Sequence, residues 1–322
     1  MNFQGLSHIE DYKSYLDTAF SRARKKARES SFNIKDKVLK KKKVEQVKVD
    51  TVSDNLRISM SRIEKSFPSM ESLPEFYKEL CKLNFDIDSV KKSIGALKWA
   101  VEQVSSLGRE TNKNIRSSSS EEQIKKYRDA YYGRVSSLMR RVRKDLDYLE
   151  IVRKTMKGFP AIKENMFSVA IVGFPNVGKS TLLSALTGSN VEINSYAFTT
   201  KNLLIGYRKE GNEKIQFIDT PGTLDRDIKK NDIEKQAELA IKYVADLLVY
   251  VFDPIEYYPL EKQEKLLKNV KKYGKDIILF MSKEDIADSD IVEIIEKKYP
   301  EIIKDRDILM SAIRKNKKAS SI

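Results

Sequence analysis

The run Gly173-Phe174-Pro175-Asn176-Val177-Gly178-Lys179-Ser180-Thr181 constrains this chain more than any other stretch. Before it lie Val169, Ala170, Ile171 and Val172, a short apolar run suited to a buried strand, and after it Leu182, Leu183, Ala185 and Leu186 suit a helix. Strand, glycine-bounded loop, Gly-Lys-Ser and helix together describe a phosphate-binding loop. Gly173 and Gly178 let backbone N–H groups turn inward around a polyphosphate, and the helix N-terminus adds its partial positive charge. Lys179 can then reach the β- and γ-phosphates, and the Ser180 hydroxyl can ligate Mg²⁺. A chance glycine-rich turn is the plain alternative, and the flanking strand and helix weigh against it. The loop alone does not separate ATP from GTP.

From residue 167 onward, short apolar runs alternate with amphipathic segments. Strands are expected near 201–207, 214–219, 246–252, 276–281 and 307–310, and helices near 180–187, 232–244, 261–273 and 290–298. This alternation predicts an α/β domain, a mostly parallel sheet with helices on both faces. The second and third strands are close enough to form a hairpin, giving one antiparallel edge. Asp219-Thr220-Pro221-Gly222 ends a strand, where the carboxylate can hold Mg²⁺ through water and the Gly222 N–H can meet a γ-phosphate. Tyr196-Ala197-Phe198-Thr199-Thr200 lies between this motif and the loop and can supply a threonine to the metal. Ser282-Lys283-Glu284-Asp285 ends another strand, and Ser311-Ala312 follows the last one. A carboxylate at Asp285 can accept from guanine N1 and N2, donors that adenine does not present in that arrangement. Each motif is weak alone; in this order at strand ends they point to a guanine nucleotide.

The first half reads differently. Apolar residues recur at helical spacing over 6–29, 51–66, 74–83, 87–108 and 121–156, which predicts an antiparallel helical bundle. The longest seam runs through Ile124, Tyr127, Tyr131, Val135, Leu138, Val142, Leu146 and Leu149. Trp99 falls off the stripe of its helix, where packing against a neighbour is expected. Between the first two helices, Lys35, Lys37 and Lys40-Lys41-Lys42-Lys43 read as a mobile basic loop. Gly158-Phe159-Pro160 ends the bundle, dividing the chain into 1–160 and 161–322.

Charge sharpens that division. Residues 1–160 carry 35 Lys and Arg against 22 Asp and Glu, whereas 161–322 carry 26 against 25. Nearly all of the excess positive charge lies upstream of the phosphate loop, as in a polyanion-binding half joined to a differently employed one. The candidate RNA contacts are Arg22, Arg24, Lys25, Lys26, Lys40, Lys41, Lys42, Lys43, Arg134 and Arg141. Solvated or ion-paired helix faces are the plain reading of the same residues.

Cys81 is the only cysteine, which excludes an internal disulfide framework, and the only histidine, His8 near the N-terminus, is expected to be a solvated side chain rather than a catalytic imidazole. No signal-peptide layout or apolar run of spanning length is present, so a cytoplasmic protein without membrane association is expected.

The motifs Gly-Phe-Pro-Asn-Val-Gly-Lys-Ser-Thr, Tyr-Ala-Phe-Thr-Thr-Lys and Asp-Thr-Pro-Gly-Thr-Leu-Asp-Arg resemble those of Obg-like GTPases, and most of all the nucleolar GTP-binding protein (Nog) family in its short archaeal-type form. The resemblance is sharp over the second half and architectural over the first. It implies phosphate binding by Gly173, Asn176, Val177, Gly178, Lys179, Ser180 and Thr181. Thr199 or Thr200 would be the first-switch threonine, with Asp219 and Gly222 in the second switch and Mg²⁺ held by Ser180, Thr200 and Asp219. Ser282, Lys283 and Asp285 would hold guanine, backed by Ser311 and Ala312. The family further implies a slow GTPase, monomeric in isolation, that assembles the large ribosomal subunit on its pre-ribosomal RNA. In potassium-activated members of the wider class, the asparagine matching Asn176 helps hold K⁺ against the phosphates.

Three departures stand out. Ser282 replaces the usual asparagine, whose amide reaches the base and the phosphate loop; a shorter hydroxyl is expected to lose that reach. Thr223 follows the second-switch glycine where Ras-type GTPases carry a water-orienting glutamine. The sequence ends at Ile322, ten residues past Ala312, which leaves no expected room for a full closing helix. A GTP-dependent scaffold with negligible hydrolysis and a membrane-surface GTPase are the alternative functions.

Overall fold

The computed structural model describes residues 2–163, 165–187, 203–211, 213–220, 232–255 and 258–319. The chain divides into two compact units. One comprises Phe3–Leu73 and Asn84–Lys157; the other comprises Gly158 onward with the first two residues and Pro74–Leu83.

The helical unit holds α1 (Tyr12–Glu29), α2 (Lys37–Ser66), α4 (Ile87–Ser117), α5 (Glu121–Arg141) and α6 (Arg143–Lys157). Asp11 caps α1 by accepting from the Lys13 and Ser14 N–H groups at 2.7 and 3.2 Å, so the helix starts later than the periodicity from residue 6 suggests. Of the basic stretch expected to be a mobile loop, Lys37 and Lys40 to Lys43 instead form the first turns of α2, and Lys35 precedes it. Asp36 caps it through the Leu39 N–H at 2.9 Å, and the lysines that follow are good helix formers. Buried Ala19, Ala23 and Ala27 give α1 a flat face, and α2 packs against α1, α4 and α5. A Cβ on Gly108 of α4 would sit 2.4 Å from Ser53 Oγ of α2, so these two helices meet where only glycine fits comfortably. Ser53 in turn bonds the Tyr131 hydroxyl of α5 at 2.7 Å.

Two further expectations change. The single helix over 121–156 is two helices, interrupted at buried Val142, whose ψ of 9° leaves the helical range. No Gly or Pro marks the break, and α4 contacts the helices on both sides of it. Trp99 remains 39% exposed rather than covered by a neighbour.

The second unit contains α3 (Glu75–Asn84), β1 (Ser168–Val172), α7 (Lys179–Thr187), β2 (Leu204–Glu210), β3 (Glu213–Asp219), α8 (Asp232–Tyr243), β4 (Leu247–Phe252), α9 (Leu260–Lys271), β5 (Asp276–Met281), α10 (Ser289–Lys298) and α11 (Arg306–Ala319). The strands form one sheet in the order β2-β3-β1-β4-β5, antiparallel only between β2 and β3. Strands β1 and β4 are buried along their whole length, as central parallel strands covered on both faces must be. Helix α3 joins this unit through Tyr77, whose hydroxyl donates to Pro160 O at 2.8 Å and accepts from the Ile162 N–H at 2.9 Å.

The strand expected over 307–310 is helix. Asp305 accepts from the Asp307 and Ile308 N–H groups at 2.8 and 2.9 Å and so starts α11, which buries Leu309, Met310 and Ile313 at helical spacing. The place of a sixth strand is taken by a bridge from Ile303 to Phe280 alongside β5. A closing helix of 14 residues is therefore present, made possible because it begins at Arg306, before Ser311 and Ala312 rather than after them.

Candidate functional site

In open α/β sheets, ligands bind at the carboxyl ends of the strands, and the ends of β1, β3, β4 and β5 carry polar residues here. At the end of β1 the chain turns through Gly173, where a Cβ would lie 2.8 Å from Val251 O; the backbone must pass β4 closely. Asn176 and Gly178 take positive φ angles of 64° and 91°, a combination that turns successive N–H groups to one side. Lys179 opens α7 almost fully buried, its Nζ donating to Phe174 O at 2.6 Å. The Phe174 ring stacks on Tyr258 at 4.3 Å. Asn176 is exposed, and its side chain makes no hydrogen bond among the described residues.

Beside the loop, Ser180 Oγ donates to Asp219 Oδ2 at 2.5 Å. Asp219 is 6% exposed, and its Oδ1 has no hydrogen-bond partner among the described residues. Burial pushes this carboxyl above the ordinary aspartate range, and the Ser180 hydrogen bond and the Lys179 charge pull it back only in part. A hydroxyl and a buried carboxylate with an unused oxygen next to a phosphate loop fit a hard divalent cation such as Mg²⁺.

At the end of β5, Ser282 donates from its N–H to Phe252 O at 2.9 Å and from its hydroxyl to Val177 O at 2.7 Å. The hydroxyl therefore does reach the phosphate loop, correcting the expectation that replacing asparagine forfeits this link. Lys283 adopts a left-handed φ of 54° and pairs through Nζ with Asp253 Oδ2 at 2.7 Å. Gly178, Thr181, Ser282, Lys283 and Asp285 line one cleft of about 370 Å³. Lys304 and Arg306 line it too, with Lys304 held by Glu284 and Glu296 at 2.5 Å each. Ser311 and Ala312 do not follow a strand; they lie on α11, and the exposed Ser311 hydroxyl donates to Asp307 O. Thr199, Thr200, Gly222 and Thr223 lie outside the described residues.

Sequence reasoning missed Asp253, Gln263, Tyr258, Lys304 and Arg306. Asp253 did carry a signal, since an acidic residue directly after an apolar strand sits where such sheets bind ligands.

In the helical unit the basic candidates separate into engaged and free surfaces. Lys41 pairs with Glu45 at 3.8 Å, Lys42 donates to Arg116 O at the end of α4 at 2.8 Å, and Arg134 pairs with Glu110 at 3.2 Å. Lys25 pairs loosely with Glu29 at 3.9 Å. Arg22, Arg24, Lys26, Lys40, Lys43 and Arg141 are exposed. A shallow cleft of about 490 Å³ on α2, lined by Arg57, Ser61, Arg62 and Lys65, adds a basic surface that the sequence reading did not single out. Among the described residues, no helix is long and apolar enough to cross a membrane.

Comparison with known proteins decides the family. Residues 3–163 match the NOG1 N-terminal helical domain, and residues 168–283 match the 50S ribosome-binding GTPase family. The chain belongs to the NOG1 family. A Methanocaldococcus jannaschii protein, MJ1408, is 40% identical over 260 residues, covering 80% of this chain and 73% of its own. Nucleolar GTP-binding protein 1 of Drosophila melanogaster is 30% identical over 290 residues, covering 88% of this chain and 44% of its own. The chain thus spans about half the length of that NOG1 relative. Among solved structures, Aquifex aeolicus Era bound to GDP and AlF4⁻ is 28% identical, covering 46% of this chain and 56% of its own at a TM-score of 0.37. Membership in the NOG1 family bears out the motif resemblance, and it makes the second unit a P-loop GTPase domain.

Proposed function

We propose that this chain is a slow GTPase switch in large-subunit assembly, docking on ribosomal RNA through its basic helical unit. The observation that carries the nucleotide half is the convergence of Gly178 of the phosphate loop with Ser282, Lys283 and Asp285 on one cleft. Asp285 would supply the acceptor for guanine N1 and N2, Lys179 would leave Phe174 O for the β- and γ-phosphates, and Ser180 and Asp219 would hold Mg²⁺. The metal would offset the phosphate charge as it redistributes during hydrolysis. Thr223 offers no amide to orient water, so turnover is slow without a partner. The exposed Asn176 side chain can help hold K⁺ against the phosphates, stabilising charge between the β- and γ-phosphates as an arginine finger does elsewhere.

The RNA half rests on charge. The names of the relatives and the ribosome-binding GTPase family support a ribosomal partner, and the exposed cations of α1, α2 and α5 supply phosphate contacts. The nucleolar names of relatives support work at the site of ribosome assembly rather than a general cytoplasmic role.

The test is nucleotide binding and turnover by the unmodified chain and by Asp285→Asn. The unmodified protein should prefer GTP to ATP, and the variant should move its preference toward xanthosine triphosphate. Comparable binding of ATP and GTP by the unmodified chain refutes the proposal. GTP turnover in matched K⁺ and Na⁺ buffers, with Asn176→Ala alongside, tests the cation; equal rates eliminate it. Binding to 23S-type ribosomal RNA should weaken steeply with salt through counterion release, and a salt-independent affinity removes the basic unit from the contact.

A further inference from the structure

The ion pair behind the base cleft is the end of a buried polar chain that the motifs do not include. Asp253 follows β4 and is 2% exposed. One carboxylate oxygen takes the Lys283 ammonium at 2.7 Å, and the other accepts from the Ile255 N–H at 3.0 Å. Its backbone is clamped by a single side chain. Gln263 of α9, also 2% exposed, accepts from the Asp253 N–H at 2.9 Å and donates to Asp253 O at 2.8 Å. The same amide donates to Tyr258 O at 2.8 Å, and the Tyr258 ring is the one stacked on Phe174 of the phosphate loop. The Tyr250 hydroxyl donates to Gln263 O at 2.6 Å and fixes the start of α9 against β4.

Lys283 needs such a partner. A residue with a Cβ in the left-handed region is held there by its surroundings, and Lys283 at φ 54° directly precedes the turn that carries Asp285. A mobile lysine would leave that turn free to relax toward ordinary backbone angles. A buried carboxylate fully engaged by an ammonium and an N–H is rigid, because its alternatives leave a charge unpaired out of water.

We propose that Asp253 is a positioning residue for guanine recognition, locking the Lys283 turn so that Asp285 meets the base, and that Gln263 and Tyr258 brace the same loop against the phosphate loop. This rests on the guanine-nucleotide reading above. Asp253 touches no substrate; it acts through Lys283. The base end and the phosphate end of the cleft are thereby joined behind the ligand as well as through it.

The experiment compares GTP, inosine triphosphate, which lacks the 2-amino group, and ATP, by equilibrium binding to the full chain. Asp253→Asn keeps the shape and the acceptor for Ile255 but removes the charge. It should weaken GTP on the order of tenfold or more while leaving inosine triphosphate far less affected, so that the ratio between them collapses. In a double-mutant cycle with Lys283→Met, the two losses of selectivity should be strongly non-additive. Equal weakening of GTP and inosine triphosphate, or additive losses, overturns the positioning role and leaves Asp253 merely structural. Should Asp253→Asn fail to fold, Gln263→Met spares the ion pair and should weaken both nucleotides alike through the phosphate loop; unchanged affinity overturns the brace. An unmodified protein without preference for GTP over ATP overturns the guanine reading itself. A preference that survives Asp253→Asn overturns this proposal alone.

Discussion

Glu45 in the helical unit and Asp219 in the α/β unit are both buried carboxylates with one oxygen lacking a hydrogen bond among the described residues. Their surroundings differ. The other oxygen of Glu45 is shared by Lys48 at 2.9 Å, Arg128 at 3.3 Å and Lys41 at 3.8 Å, drawn from α2 and α5. Asp219 has one hydroxyl and stands at a strand end beside a phosphate loop. The first carboxylate is neutralised by its own fold, and its work is to join helices. The second is left short of partners, which suits the cation role proposed for it. A buried charge therefore reads as structure or as function according to whether the fold supplies its counter-ions.

The largest effect that would break this contrast is at Asp219. Asp219→Asn should weaken Mg²⁺-dependent GTP binding by about a hundredfold, in line with loss of a charged metal contact. The same change should stabilise the nucleotide-free protein by about 1 kcal/mol, since it removes a desolvated charge with an unused oxygen. Binding followed with a fluorescent GTP analogue, with and without EDTA, and thermal unfolding of the free protein check both. Loss of stability in the free protein would make Asp219 structural, like Glu45.

Glu45→Ala should do the reverse. Its three cations are partly exposed and can return to water, so the expected cost is about 2 kcal/mol, below that of a fully buried pair. GTP affinity should not change. Trp99, the only tryptophan, lies on α4 and reports denaturant unfolding of the helical unit specifically. A variant with altered GTP affinity and normal unfolding would contradict the assignment.

The two units also differ in how much of them was legible in the sequence. The phosphate loop was readable because its chemistry fixes residue types at fixed spacing over nine positions. Alternating apolar runs and amphipathic segments made the sheet legible, and sustained helical periodicity the bundle. Failures came where a cap or a distant partner decides. Ile308, Leu309 and Met310 form a short apolar run that suits strand or helix equally, and Asp305 settled it. The charge of the lysine run suits a solvated loop, whereas the Asp36 cap makes it the start of a helix. Asp253 carries a signal in its place after an apolar strand, but its pairing with Lys283 does not, because thirty residues separate them and only the sheet brings them together.

Ser282 tests the α/β unit on a finer scale. Ser282→Ala removes the hydroxyl donated to Val177 O and should cost about 1 kcal/mol, or roughly fivefold in GTP affinity, as one hydrogen bond tying the base turn to the phosphate loop. Ser282→Asn should retain the tie and not fall below the unmodified affinity. Titration calorimetry of the three proteins with GDP is sufficient. An unaffected Ser282→Ala would show that the loops are held together by Asp253 and Gln263 without it.

The smallest effect lies in the helical unit, at Glu150 on α6. Burial alone would raise its carboxyl, but the paired hydrogen bonds from Arg153 at 2.6 and 2.7 Å and the Ile9 N–H at 3.1 Å outweigh burial and hold it below the ordinary glutamate range. A carboxyl lowered on folding contributes stability above its unfolded value, and that contribution disappears as the pH falls through the folded value. Glu150→Gln should therefore cost about 0.5 kcal/mol near neutral pH, a small figure because solvent screens part of the pair, and nothing once both forms are protonated in acid. Trp99 fluorescence in denaturant, measured for both proteins at neutral and strongly acidic pH, should show the two stabilities converging as the pH falls. Glu150 also tethers the segment before α1 through the Ile9 N–H, a contact that glutamine can keep. A difference that persisted unchanged into acid would mean that the charge is not what Glu150 contributes.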